Sequence, residues 1–152
     1  MFSIRTAETS DVQAIHALIY ELAVFEKAPE QCINTPEQLL KDGFGQKPAY
    51  ICFVAESEAK VVGMSLCYVR YSTWKGCCLY LEDLIVTESM RGKGIGKALF
   101  QHTLKFAEAQ SYARLQWQVL DWNQGAIDFY KIFNASFDAE WLNAWVDLPE
   151  KR

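Results

Sequence analysis

The stretch Cys77-Cys78-Leu79-Tyr80-Leu81-Glu82-Asp83-Leu84-Ile85-Val86 passes through Thr87-Glu88-Ser89-Met90 into Arg91-Gly92-Lys93-Gly94-Ile95-Gly96-Lys97. The first part is mostly apolar, as a buried strand is. Past the glycines, Ile95, Leu99, Leu104 and Ala107 fall on one helical face. A glycine-bearing turn between a strand and a helix presents unpaired backbone N–H groups and the positive end of the helix dipole, which attract an anion. Glycine also leaves nothing between its amide and a ligand. Residues Arg91 to Lys97 are therefore expected to cradle phosphates, with an ordinary flexible turn as the competing reading.

Two phosphate motifs fail against these letters. A P-loop needs glycine where Arg91 stands and Ser or Thr where Ala98 stands. The dinucleotide fingerprint finds Lys97 or Leu99 at its third glycine, far from the first strand. A pyrophosphate site without metal or nicotinamide remains.

Outward from this segment, the chain alternates strands and helices. A short strand over Phe2 to Arg5 precedes a helix starting near Ser10, whose apolar face is Val12, Ile15, Leu18, Ile19 and Leu22. Thr35-Pro36-Glu37-Gln38 reads as a helix start with Thr35 as cap, and Gly43 as its stop. Tyr50 to Ala55 and Val61 to Tyr71 flank the polar turn Glu56 to Lys60 as a hairpin. Ala113 to Leu120 is expected as a strand, Asn123 to Phe133 as a helix, and Trp141 to Leu148 as a final strand. The order βααββββαβαβ, one strand either way, implies an α/β fold with a mixed sheet and helices on both faces.

With 152 residues, 51% of them hydrophobic, and no linker-like composition, residues 1–152 are expected to form a single domain. A net charge of −4 and no basic run longer than a pair argue against a nucleic-acid partner. No apolar run spans a bilayer, so no membrane partner is expected. Five cysteines without zinc-ligand spacing read as buried thiols, and MFSIRTAETSD does not read as a secretion signal, so the expected compartment is the reducing cytoplasm. His16 and His102 lack partners at ligand spacing and read as structural, leaving neither a metal site nor a Ser-His-Asp triad.

Arg91-x-x-Gly94-x-Gly96 after a strand, followed by Asn123-x-x-Ala126-x-x-Phe129-Tyr130, resembles the two signatures of the GNAT superfamily of acetyl-CoA-dependent N-acetyltransferases. One departure is Asn134, where the family has glycine; Asn tolerates the left-handed conformation better than most residues. Glu21-Leu22-Ala23, Asp42-Gly43-Phe44-Gly45, Tyr80-Leu81-Glu82-Asp83 and Asp121-Trp122-Asn123 narrow the resemblance to the spermidine/spermine acetyltransferase group. Tyr71 to Gly76 and Leu120 to Gln124 are closer to its thialysine branch, and Ser72 replaces an acidic residue of the polyamine branch.

The resemblance implies a central, mostly antiparallel mixed sheet flanked by helices, acetyl-CoA as co-substrate without metal, and a homodimer. It implies that Leu84, Ile85 and Val86 hold the pantetheine arm through backbone groups. Arg91, Gly92, Lys93, Gly94, Ile95, Gly96 and Lys97 would hold the pyrophosphate, and Asn123, Gln124, Gly125, Ala126 and Tyr130 the cofactor's other side. Tyr130 matches the tyrosine facing the thioester sulfur; a phenol with pKa of about 10 can protonate a thiolate whose acid is near about 8.5. A core aromatic beside Phe129 and Phe133 is the competing reading. Glu82 is the candidate for proton removal, directly or through water, with burial raising its pKa. Strand alternation sends Asp83 to the opposite face. The amine is expected at Phe25, Glu26, Ser72, Glu82 and Glu140, with Trp74 attracting the ammonium through its ring. The implied activity is acetylation of a small primary amine, thialysine or a lysine-like amino acid ahead of a diamine or polyamine. An acyl-CoA sensor and an acetyltransferase of protein amino groups are the alternatives.

Overall fold

The structure is a computed structural model that describes residues 1–150. These residues fall into two compact units, Met1–Gln118 and a second beginning at Val119. The first holds β1 (Ser3–Thr6), α1 (Val12–Phe25), α2 (Pro36–Phe44), β2 (Ile51–Ser57), β3 (Lys60–Ser72), β4 (Gly76–Val86), α3 (Ile95–Ala109) and β5 (Leu115–Gln116). The second holds α4 (Gln124–Lys131).

The strands lie in the order β1-β2-β3-β4-β5, antiparallel except for the parallel pair β4 and β5. This is the mixed, mostly antiparallel sheet expected. Alternation assigns its two faces. Cys52, Val54, Met64, Leu66 and Ile85 meet Ile15 and Leu18 of α1. Phe53, Ala55, Cys67, Leu79 and Val86 meet Ile95, Leu99 and Ala107 of α3. The Val, Leu, Ile, Phe and Met side chains among these contribute about 1.5–3 kcal/mol each, so the two helices are held to opposite faces chiefly by burial. Between β3 and α3 a fully buried Ser65 and Thr103 hydrogen-bond at 2.8 Å, and the Thr103 hydroxyl reaches Leu99 O at 2.9 Å.

Local signals act largely as the sequence implies. Thr35 Oγ1 accepts from Gln38 N–H at 3.2 Å, although Gln38 turns its own side chain to Asp42 instead of completing a capping box. Gly43 does not stop α2, which continues to Phe44; the Tyr50 ring occupies the space a Cβ at Gly43 would need. The β2–β3 hairpin closes through Glu58 and Ala59, both with positive φ, a two-residue turn matched to strand twist. Asn134 adopts φ 57°, the left-handed conformation expected of it.

Three expectations are corrected. The strand read over Ala113 to Leu120 pairs only at Leu115 and Gln116. Trp141 to Leu148 forms no strand: the segment alternates suitably but no strand among the described residues pairs with it, and Trp141, Leu142, Trp145, Val146 and Leu148 are exposed. Only Cys52, Cys67 and Cys78 are buried thiols, whereas Cys32 is half-buried and Cys77 exposed. Burial pushes Cys67 up to about 12 and Cys52 upward as well, so both are protonated and inert at neutral pH.

Candidate active site

The ladder between β3 and β4 pairs Leu66 with Asp83 and then Cys67 with Leu81, so Glu82 is an extra residue in β4, a β-bulge. The bulge reverses facing along the strand. Leu79 before it and Leu84 and Val86 after it all pack toward α3, although their numbers differ in parity. The opposite-face rule applied to Glu82 and Asp83 therefore fails. Asp83 falls in step with Ile85 on the α1 face, and the carboxylate of Glu82 acts on Tyr68 and Tyr80, which alternation places on that same face.

The two carboxylates have different surroundings. Glu82 is exposed, so the burial expected around it falls on Asp83 instead, which is half-buried. Desolvation, then repulsion from Glu82 and from Glu26 at the end of α1, pushes the Asp83 carboxyl up to about 7. Burial raises Glu26 too, even though the residue as a whole keeps much of its surface. Tyr68 and Tyr80 pack 5.2 Å apart between ring centroids. Burial and the Glu82 carboxylate push Tyr68 up to about 12 and raise Tyr80, so both phenols stay neutral. Sequence reading passed over Asp83, Tyr68 and Tyr80 because a bulge leaves no mark in the alternation of a short, largely apolar strand.

The β5 ladder reaches β4 only at Leu79 and Tyr80. Past that point Leu84, Ile85 and Val86 are paired to Ser65, Met64 and Gly63 of β3, and β5 does not continue beside them. Parallel strands that part in this way leave main-chain groups of one strand available to a ligand.

The glycine-bearing turn lies just beyond. Gly92 has φ 75° and Gly94 φ 80°, which L side chains rarely adopt, and a Cβ at either would meet nothing within 4 Å. Gly94 starts α3 with no side-chain cap, and the first intrahelical bond runs from Ala98 N–H to Gly94 O at 3.0 Å. The N–H groups of Ile95, Gly96 and Lys97 precede that bond and point out of the helix start. An open turn, two left-handed glycines and an uncapped helix of this length fit the pyrophosphate of a coenzyme A.

A brace from α1 shapes the turn. Glu21 accepts from the Thr87 hydroxyl at 3.0 Å and from Glu88 N–H at 2.9 Å, and lies 3.6 Å from an Arg91 nitrogen. Arg91 Nε donates to Val86 O at 2.9 Å, and its guanidinium stands over the Phe25 ring at 5.4 Å. Arg91 and Phe25 thus hold each other beside the turn. Lys93 folds back to Ser89 O at 3.4 Å, and Lys97 is exposed.

Ser72 and Trp74 sit at the β3–β4 turn, roughly 17 Å of strand from the bulge at about 3.3 Å per residue. Ser72 Oγ accepts from Trp74 and Lys75 N–H at 3.3 and 3.2 Å, and Trp74 is 88% exposed. Within one chain the structure does not bring these two to the carboxylates. In the second unit, Asn123 caps α4 by accepting from Ala126 N–H at 3.2 Å, with Gln124 bonded to Asp128 and Gly125 in the first turn. Tyr130 is buried, with its ring 5.2 Å from Phe129, which in turn packs on Phe133. Glu140 is exposed, and its N–H donates to Asp138. Among the described residues, no three His, Cys, Asp or Glu side chains gather to hold a metal ion, and no helix is long and apolar enough to cross a membrane.

Residues 15–134 match the acetyltransferase (GNAT) family, a span that runs through the division between the two units. The thialysine N-epsilon-acetyltransferase of Bos taurus is 41% identical over 140 residues, covering 87% of this chain and 82% of that protein. A spermidine/spermine N(1)-acetyltransferase-like protein of Homo sapiens is 36% identical over 85% of this chain and 20% of its own length. Among solved structures, an aminoglycoside acetyltransferase from a soil metagenomic sample superposes with a TM-score of 0.79 at 23% identity, covering 97% of both chains. Fold, loop and sequence agree: the chain belongs to the acetyltransferase (GNAT) family and is an N-acetyltransferase.

Proposed function

We propose that the protein transfers an acetyl group from acetyl-CoA to the primary amine of a small molecule, with thialysine or a lysine-like amino acid as the favoured acceptor. The observation that carries this reading is the bulge at Glu82, which sets a carboxyl with a pKa of about 7 beside two further carboxylates and two neutral tyrosines. Acetyl-CoA supplies an acetyl group activated as a thioester. The chain's own residues supply the rest. Glu26 and Glu82 attract an ammonium ion, and Asp83, with a pKa near working pH, takes its proton to leave a nucleophilic nitrogen. Leu84 to Val86 offer backbone groups, and Arg91 to Lys97 form the pyrophosphate cradle. Tyr130, with Asn123 to Ala126 ahead of it on the same helix start, is assigned to protonate the departing sulfur. Ser72 and Trp74, set apart from the bulge along β3 and β4, are assigned together with Glu140 to the outer acceptor site.

The family match across 15–134 supports one domain, and five unpaired cysteines support a reducing cytoplasm. The exposed apolar side chains from Trp141 to Leu148 support a homodimer that covers them. The test is thiol release from acetyl-CoA with thialysine, lysine, ornithine, putrescine, spermidine and spermine as acceptors. Preference for thialysine or lysine upholds the proposal, preference for spermidine or spermine replaces it with the polyamine reading, and binding of acetyl-CoA without turnover replaces it with a sensor.

A further inference from the structure

Arg70 lies on β3 two residues beyond Tyr68, on the same face, with its guanidinium 5.8 Å from the centroid of the Tyr80 ring. It is exposed, and among the described residues the ion pairs involve Arg5 and Arg91 but not Arg70. Its charge reaches Tyr68 and Tyr80 from one side while that of Glu82 reaches them from the other. The tyrosine pair is thus a floor with an acidic end, formed by Glu26, Glu82 and Asp83, and a cationic end, formed by Arg70. Leu66, opposite Asp83, and Arg70 are separated by roughly 13 Å of strand, a gap that the long arginine side chain shortens.

An unpaired cation at the rim of an acidic patch is unfavourable for an acceptor that carries only positive charge. It is favourable for an acceptor with an amine at one end and an anion at the other. A guanidinium also binds a carboxylate through two parallel N–H donors, so it selects for a planar anion. We infer that Arg70 binds the carboxylate of the acceptor and makes the enzyme selective for amino acids over diamines. The inference rests on the proposed acetylation of a small amine at the Glu82 bulge, and it assigns the residue that separates the two acceptor classes.

The experiment compares kcat/KM for thialysine with kcat/KM for the same molecule lacking its carboxylate, in the wild-type protein, Arg70→Leu and Arg70→Lys. Both acceptors carry the same two amines but differ by one unit of net charge, so Arg70→Lys, which keeps the cation, separates the loss of a paired N–H contact from a general change in attraction for cations. Loss of a charge-assisted pair predicts that the amino-acid to amine ratio falls on the order of 30-fold in Arg70→Leu, chiefly through KM, and by less in Arg70→Lys. A ratio unchanged in Arg70→Leu overturns the role of Arg70, including where both rates fall together through damage to the fold. A wild-type protein that binds acetyl-CoA and turns over only acceptors without a carboxylate overturns it as well, while leaving amine acetylation intact. Absence of turnover with every acceptor overturns the function proposed above and this inference together.

Discussion

The Thr87 hydroxyl, one residue past the end of β4, donates to Glu21 Oε2 of α1 at 3.0 Å, while the other oxygen of that carboxylate accepts from Glu88 N–H. One side chain therefore fastens the turn ahead of Gly92 and Gly94 to a helix on the opposite face from α3. Glu21→Ala removes both bonds and the ion contact to Arg91. The expected loss is about 1–2 kcal/mol in acetyl-CoA binding, a five- to thirty-fold weaker Kd, because charge-assisted bonds at a part-exposed site count for less than buried ones. Calorimetric titration checks this, with kcat at saturating acetyl-CoA changing less than Kd.

Asp83→Asn keeps the shape of the side chain and removes its basicity. Turnover should fall about 10²- to 10⁴-fold, and the wild-type profile should rise with pH through about 7 as the carboxyl ionises. Glu82→Gln should cost less activity and shift that rise to lower pH, since one repulsive neighbour is gone. Steady-state rates from pH 5.5 to pH 9 in the three proteins, taken as about half-unit steps, decide the assignment.

The same carboxyl has an opposite signature in stability. Its folded pKa of about 7 lies above the ordinary 3.8, so the native state binds the extra proton. Stability from this group is fully present below about pH 4 and is lost as pH rises through about 7. Asp83→Asn should therefore raise the Tm at pH 8 and change it little at pH 4.5, with a difference of about 2–4 kcal/mol at the upper pH. Thermal melts at the two pH values read it directly.

Tyr130→Phe should slow turnover about 10²-fold or more while sparing the Kd for acetyl-CoA. Equal rates for the two proteins would remove Tyr130 as the acid and return it to the role of a core aromatic beside Phe129.

Gly94→Val should weaken acetyl-CoA binding at least tenfold, because the residue has φ 80° and a branched side chain there forces the turn to move. The space around it is open, so the damage comes from the backbone and not from a clash. An unchanged Kd would sink the cradle.

The elements legible in the sequence are those whose signals are local. The Thr35 cap, the apolar face of α1, Ile95, Leu99 and Ala107 of α3 and the left-handed Asn134 follow from short-range chemistry and stand where they were read, whereas Leu104 is half-buried outside that core and Phe100 and Thr103 are buried in its place. The segment from Trp141 to Leu148 carries a strand's alternation but not its pairing, because pairing depends on a neighbour that alternation cannot supply. The site divides in the same way. The glycines and the Asn123 cap are written in letters, whereas the choice between Glu82 and Asp83 turns on a single unmatched step in the ladder between β3 and β4. Arg70, Tyr68 and Tyr80 meet only through that ladder.

That unmatched step also sets what β4 can tolerate. Position 82 faces solvent, so most side chains fit there without disturbing the core. Its peptide unit is the one the ladder does not need. Deleting residue 82 would restore a regular ladder in which Asp83 and Ile85 still face α1 and Leu84 and Val86 still face α3, because the pairs Leu66–Asp83 and Cys67–Leu81 on either side of it are kept. Both cores would keep their side chains, and what would go is one carboxylate and the local bend that sets it beside Asp83 and the tyrosine pair. The extra residue thus belongs to the site and not to the core, and a chain lacking it should stay folded while losing activity.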